Sequence, residues 1–232
     1  FLAWTRHTTQ GKVVSLATVT NDSGTDELWF VVQRFLPNGT TKQYLERLDD
    51  FLPFDETDQD ISRSFYVDSG LSLNSNTAVT NISGLSHLEG LEVAILADGN
   101  VLPRQTVKSG KITLDVPAKV VHAGLPYSFV VETLDLEIPD GTLRHLKRMP
   151  WKAWVEMYMT RQLRYSANGN QPHELLVQDG MSLGKVPQVM TGFRELQIMA
   201  STADEIAFRF ECDDPVSAGG LSLMAMASYG NP

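Results

Sequence analysis

The sequence has one cysteine, Cys212. Without a second thiol there is no internal disulfide, and a cysteine-based zinc site is excluded. Cys212 follows Phe208 and Phe210 at strand period, the pattern of a buried structural thiol rather than of a nucleophile. Long apolar runs are missing too. No signal-like apolar core and no bilayer-length stretch occurs, so neither secretion nor a membrane span is expected. Basic residues are scarce, with 19 Lys and Arg against 28 Asp and Glu and a formal charge of −9. That balance argues against a DNA-binding module, which presents a basic face to phosphates. Its plainest role is solubility.

Catalytic signatures are equally sparse. Gly110-Lys111 is followed by Ile112, and Gln105 stands where a phosphate-binding loop needs its upstream glycine. Neither G-x-G-x-x-G nor G-x-S-x-G occurs. The five histidines, His7, His87, His122, His145 and His173, are scattered without metal-ligand spacing. The acidic cluster Asp55, Glu56, Asp58 and Asp60 lacks the glycine and the closing glutamate of a calcium loop, and reads as a solvated connection. Asp213 and Asp214 are adjacent, so on a strand they point to opposite faces and make a poor pair for glycoside hydrolysis. Three glycosylation triplets, at Asn21, Asn38 and Asn81, read as chance matches without a secretory signal. The expectation is a protein that is not an enzyme, with no cofactor and no metal.

What the sequence does have is turns. Asn38-Gly39, Asp98-Gly99, Asp140-Gly141, Asn168-Gly169 and Asp179-Gly180 are dipeptides that accept positive φ at both centres of a type I′ hairpin turn. Leu28 to Val32 leads to the first and returns through Thr40 to Leu45. Val93 to Leu96 leads to the second and returns towards Val107. Phe129 to Val131 and Leu134 to Ile138 approach the third. Ile206, Phe208, Phe210 and Cys212 form a half-buried strand by period 2, and Leu221, Leu223 and Ala225 alternate with Ser222, Met224 and Met226 in the same way. Helix signals are thin, a turn or two at Ser62–Tyr66 and Leu143–Met149. The fold class is therefore all-β. An acidic, polar stretch at 51–64 divides an N-terminal antiparallel unit, 1–50, from a β-sandwich or barrel-like domain, 65–232.

Two passages go beyond class. Ala3-Trp4-Thr5-Arg6-His7-Thr8-Thr9, Val13 to Val19, Glu27 to Arg34 and Tyr44-Leu45-Glu46-Arg47-Leu48 follow in an order that resembles the last propeller-like strands of large phage tail proteins. Phe65 to Gly70, Ile82 to Gly90, Leu96-Ala97-Asp98-Gly99, Ile112-Thr113-Leu114 and Gly124-Leu125-Pro126-Tyr127 resemble the platform region of the tail nozzle (tail tubular) proteins of short-tailed bacteriophages. The resemblance covers about Ala3 to Leu134 and is weaker beyond. Since the chain opens on Phe1 rather than Met, a C-terminal piece of a longer protein is expected, with the first unit part of a propeller-like blade.

The resemblance implies a structural virion protein of the phage tail, assembled in the host cytoplasm. It implies a homo-oligomeric ring, sixfold in nozzles, stacked below a portal and adaptor among tail fibres. Double-stranded genomic DNA would pass through the ring during ejection. The motif residues it carries over, Gly84, Leu88, Gly90, Asp98, Gly99, Gly110, Gly124, Pro126 and Tyr127, are structural. Their physical reading agrees: the glycines suit turns or close strand approach, Leu88 suits the core and His87 a turn. In a ring the acidity acquires a second role. One carboxylate–phosphate pair at 10 Å in water repels by only about 0.4 kcal/mol, but a ring repeats each charge around its lumen.

A rival reading comes from Trp151 and Trp154, which lie near Lys152, Arg148 and Arg144. Aromatics interleaved with basic residues stack on bases or sugars, which would make the chain a β-sandwich module binding a carbohydrate or a receptor. Otherwise the indoles fill a core or a subunit contact. The methionines, among them Met157, Met159, Met224 and Met226, suit adaptable buried or contact surface.

Overall fold

The computed structural model describes residues 6–49, 60–135, 147–175, 188–198 and 205–230. The chain is all-β, with four antiparallel sheets, none closed into a barrel among the described residues. Contacts divide it into two compact units, 1–127 and 128–232. This division falls later than the acidic stretch at 51–64, most of which lies outside the described residues. The first unit thus takes in both the N-terminal strands and the opening part of the expected platform, 65–127.

The first unit opens with a three-stranded meander, β1 (Lys12–Thr20), β2 (Asp26–Phe35) and β3 (Thr41–Arg47). Its second sheet runs in the order β4-β7-β5-β6, with β4 at Asp68–Ser83, β5 at Glu92–Ala97, β6 at Asn100–Thr106 and β7 at Lys111–Leu125. The long strand β7 pairs with the whole of β4 on one side and, through its second half, with β5 on the other. Irregularities in the β4–β7 register, between Asn74 and Val79 among others, let these two long strands bend. The inner face carries Ile82, Val93, Ile95, Ala97, Ile112, Leu114, Val121 and Ala123, closed off by Leu85, Leu88 and Val107.

The meander is fastened to β4 through charge. Arg34 is 2% exposed, and its guanidinium grips the Glu46 carboxylate with two hydrogen bonds of 2.7 and 2.6 Å. The same group donates to the Gln10 carbonyl and reaches Asp68 at 3.2 Å, while the Ser69 hydroxyl donates to Glu46. Thr9 also bonds Asp68. A buried cation held by two carboxylates and a carbonyl is fully compensated, the condition under which burial of charge is tolerable.

The second unit is a sandwich. One sheet runs β11-β10-β13-β8, with β8 at Phe129–Glu132, β10 at Leu163–Ala167, β11 at His173–Leu175 and β13 at Phe208–Cys212. The other runs β12-β9-β14, with β9 at Lys147–Thr160, β12 at Met190–Leu196 and β14 at Gly220–Gly230. Leu163, Tyr165, Phe208 and Phe210 from the first interlock with Ala153, Val155, Met157 and Leu196 from the second. Lys147 to Pro150 belong to β9, so the expected helical turn over 143–149 is strand in its described part. The turn expected at Ser62–Tyr66 falls at Ile61–Arg63, a short 3-10 turn capped by the Asp60 side chain that ends at an extended Ser64.

Turn chemistry explains much of the register. Asp98 and Gly99 both have positive φ, 45° and 76°, between the paired residues Ala97 and Asn100, as a type I′ turn requires. Asn168 and Gly169 behave alike. At Asn38-Gly39 only Gly39 has positive φ, and a five-residue connection replaces the two-residue turn, with Gly39 donating to Leu36 and Leu36 to Thr40. The 140–141 and 179–180 pairs lie outside the described residues.

Candidate assembly surfaces

The motif residues form scaffold joints. Gly84, Gly90 and Gly110 have positive φ, Leu88 is fully buried, and Pro126 and the 43%-exposed Tyr127 follow β7. Asp98 does more than turn: its carboxylate accepts from the backbone of Lys119 and Val120, and its own N–H donates to the Val120 carbonyl at 2.7 Å. It therefore pins the β5–β6 hairpin to β7. Gly124 marks a close approach, since a Cβ there would lie 2.6 Å from the Gly70 Cα and 2.8 Å from the Asp68 carbonyl oxygen. The sequence passes over one joint of the same kind. Ser109 and Gly110 form a positive-φ turn whose N–H groups, at 2.8 and 2.6 Å, both donate to Glu89. Ser-Gly is a weaker turn signal than Asn-Gly or Asp-Gly, and Glu89 is distant in sequence.

His87 is likewise structural, its Nε2 2.8 Å from the Ser69 carbonyl and its ring edge-on to Tyr44. The buried imidazole of His122 spans Ser72 Oγ at Nδ1 and the Ser62 carbonyl at Nε2, each at 2.7 Å, with Phe65 edge-on. The carbonyl can only accept, so Nε2 carries the proton and Nδ1 receives the serine hydroxyl. Burial pushes this imidazole below its ordinary pKa despite the Ser62 bond. His122 lies in a shallow cleft of about 320 Å³ bordered by Asp49, Asp60, Arg63 and Asn74. Its evident work is to clamp the segment around Ser62 onto the sheet. No group of metal-binding side chains occurs among the described residues. Cys212 is buried, and burial pushes its thiol up to about 11, an unreactive state. Asp213 is drawn into an ion pair with Arg164 at 2.6 Å rather than set across a cleft from a second acid.

Two surfaces remain that the interior does not explain. The first is the meander. Every residue of β1 is exposed, among them Val13, Val14, Leu16 and Val19 at 43–63%. Register places Leu16, Phe30 and Glu46 in one row and Ala17, Trp29 and Arg47 in the next, so apolar side chains stand on both faces. Leu45 and Leu48 are also exposed, at 67% and 57%.

The second is the outer face of β12-β9-β14. The inner positions of β9 are Ala153, Val155 and Met157, so Lys152, Trp154 and Glu156 point outward. A bulge lies between Pro150 and Lys152 in the β9–β14 register, and it turns Trp151 out to 51% exposure. Trp154 is flanked by Glu195 on β12 and Met224 on β14. The Lys152 ammonium lies 4.9 Å from its ring centroid and 3.1 Å from Glu195. Both tryptophans singled out in the sequence thus lie on the outward side of β9. Leu221, expected inward with Leu223 and Ala225, is instead 63% exposed, because a second irregularity falls between Gly220 and Ser222.

No protein-family model matches the chain, and no curated protein matches it. Among the described residues no helix is long and apolar enough to cross a membrane.

Proposed function

We propose that the protein is a structural component of a bacteriophage tail, a ring-forming nozzle or tail-tube protein through which genomic DNA passes during ejection. The observation that carries this reading is the meander. A three-stranded sheet with apolar side chains on both faces and a wholly exposed edge strand is built to lie between other layers. That is what a propeller-like blade needs, and it fits the tail-protein resemblance of Ala3 to Leu48. Among the described residues the motif glycines and Asp98 brace strands, and His122 clamps a segment, the work of a scaffold. Portal, adaptor and tail-fibre proteins are the partners this reading assigns, and the virion is its location. The net charge of −9 would then serve a lumen that repels phosphate. Imaging of the assembled protein tests the proposal: closed rings with an acidic central hole support it, and a neutral or basic lumen overturns the charge argument.

A second reading is favoured by one specific observation. Trp151 and Trp154 share an outer sheet face with Lys152, Glu195 and Glu156, an aromatic platform edged by polar groups. A carbohydrate-binding or receptor-binding tail module would use such a platform. Sugar titration followed by tryptophan fluorescence separates the two, because the structural reading predicts no saturable change.

A further inference from the structure

We infer that a polar catch on β4 holds the meander against the second sheet of the first unit, and that the meander comes away as one body when this catch is released. The apolar core of that unit belongs to its second sheet. It is built from residues between Ile82 and Leu125, and among the described residues no meander side chain joins it. Within the three meander strands only Val32 and Arg34 are buried, with Leu36 just beyond the end of β2. Val32 and Arg34 are two positions apart on one strand, so they share the face on which Arg34 meets Asp68. The apolar part of the joint is therefore small, and the polar part sits in the middle of it.

That polar part converges on two consecutive residues of β4. Asp68 receives Arg34 at 3.2 Å and the Thr9 hydroxyl. Ser69 donates its hydroxyl to Glu46 at 2.8 Å, and Glu46 is the carboxylate that Arg34 grips. The Ser69 carbonyl is held in turn by His87, whose ring stands edge-on to Tyr44 of β3. The backbone at this point is irregular. β4 slips register with β7 between Asp68 and Leu71, and Ser69 has a φ of 50°, a left-handed conformation that costs a serine energy. Such a conformation persists only where its surroundings over-determine it, and here Glu46 and His87 hold Ser69 from two sides. Loss of the charges on the meander side thus frees the meander and the strained serine together. The meander keeps its own shape through this step, because its two ladders and the Arg47–Glu27 pair lie wholly within it. Release bares Val32 and Leu36 and lets the sheet take a new angle to β4. This device does not rest on the ring or on any particular partner.

The test is thiol labelling of the full chain under native conditions, with one buried reporter on each side of the catch. Val32→Cys reports on the meander and Val121→Cys on the second sheet, at positions 2% and 0% exposed. The native thiol, Cys212, is buried and common to both proteins. The V32C thiol should react at least about tenfold faster than the V121C thiol, since local release exposes the first and only unfolding of the second sheet exposes the other. Asp68→Asn keeps the size of the side chain and removes its charge. It should speed V32C labelling by about tenfold or more and leave V121C within about twofold, in line with the loss of hydrogen bonds to a charged group. Thr9→Val removes one of those bonds with no change of charge, and should produce a smaller rise at V32C alone. The V121C rate also reports whether each variant is folded. Equal rates at the two reporters, or equal responses to Asp68→Asn, would mean that the unit opens only as a whole and would overturn the inference. A V32C rate that neither Asp68→Asn nor Thr9→Val changes would overturn the catch.

Discussion

Arg34 ties together several segments of the first unit. It is 2% exposed and joins β2, β3, the Gln10 carbonyl and the start of β4. Removing the cation leaves Glu46 and Asp68 facing each other without compensation. Arg34→Gln should therefore cost about 3–5 kcal/mol in urea unfolding, the range for breaking one side of a buried pair. A loss within the range of ordinary surface substitutions would show that the meander is held by something else. His122 gives a second residue-scale prediction. Its folded pKa lies below the ordinary 6.5 because burial penalises the charged ring, with Asp49 and the Ser62 carbonyl opposing. Between that lowered value and 6.5 the unfolded chain binds more protons than the folded one, so stability falls as pH falls through this window. The contribution is complete above pH 6.5. Unfolding midpoints from pH 7.5 to 5 should drop more steeply for wild type than for His122→Gln, and parallel curves would remove His122 as the cause.

At the scale of elements, β1 is the anomaly. From Val13 to Thr20 it has no charge, proline or glycine, and all nine positions of the strand are exposed. Soluble proteins guard such edges with charge, proline or bulges, and β1 has of these only one irregularity, between Val13 and Ser15. Leu16→Lys supplies the missing charge. It should suppress concentration-dependent light scattering of the chain while changing the unfolding free energy by less than about 0.5 kcal/mol, as expected for a surface site. Scattering equal to wild type would mean that the edge is not the adhesive surface. The strands themselves were legible because their patterns are local. Asp98-Gly99 and the alternation of Phe208, Phe210 and Cys212 specify geometry within a few residues, and both stand as expected. What escaped the sequence depends on distant partners. The bulge at Trp151 and the outward turn of Leu221 follow from β9–β14 register, and the Glu89 cap on Ser109-Gly110 joins residues twenty apart. The buried role of Arg34 is of the same kind, since nothing nearby in sequence announces Asp68.

For the whole molecule, the account rests on surfaces rather than on a cleft. The two tryptophans were visible as candidates in the sequence, but their placement on the outward side of β9 required the fold. The motif glycines were visible too, and their structural role follows from φ and close approach. On the proposed reading, the protein works by assembling around DNA. The most direct measurement is negative-stain imaging with sedimentation of the protein expressed with any native upstream sequence. The account predicts closed rings with a central hole, persisting on dilution and lined by carboxylates. A single monomeric species across a wide concentration range, in the presence of portal and adaptor proteins as templates, would contradict it.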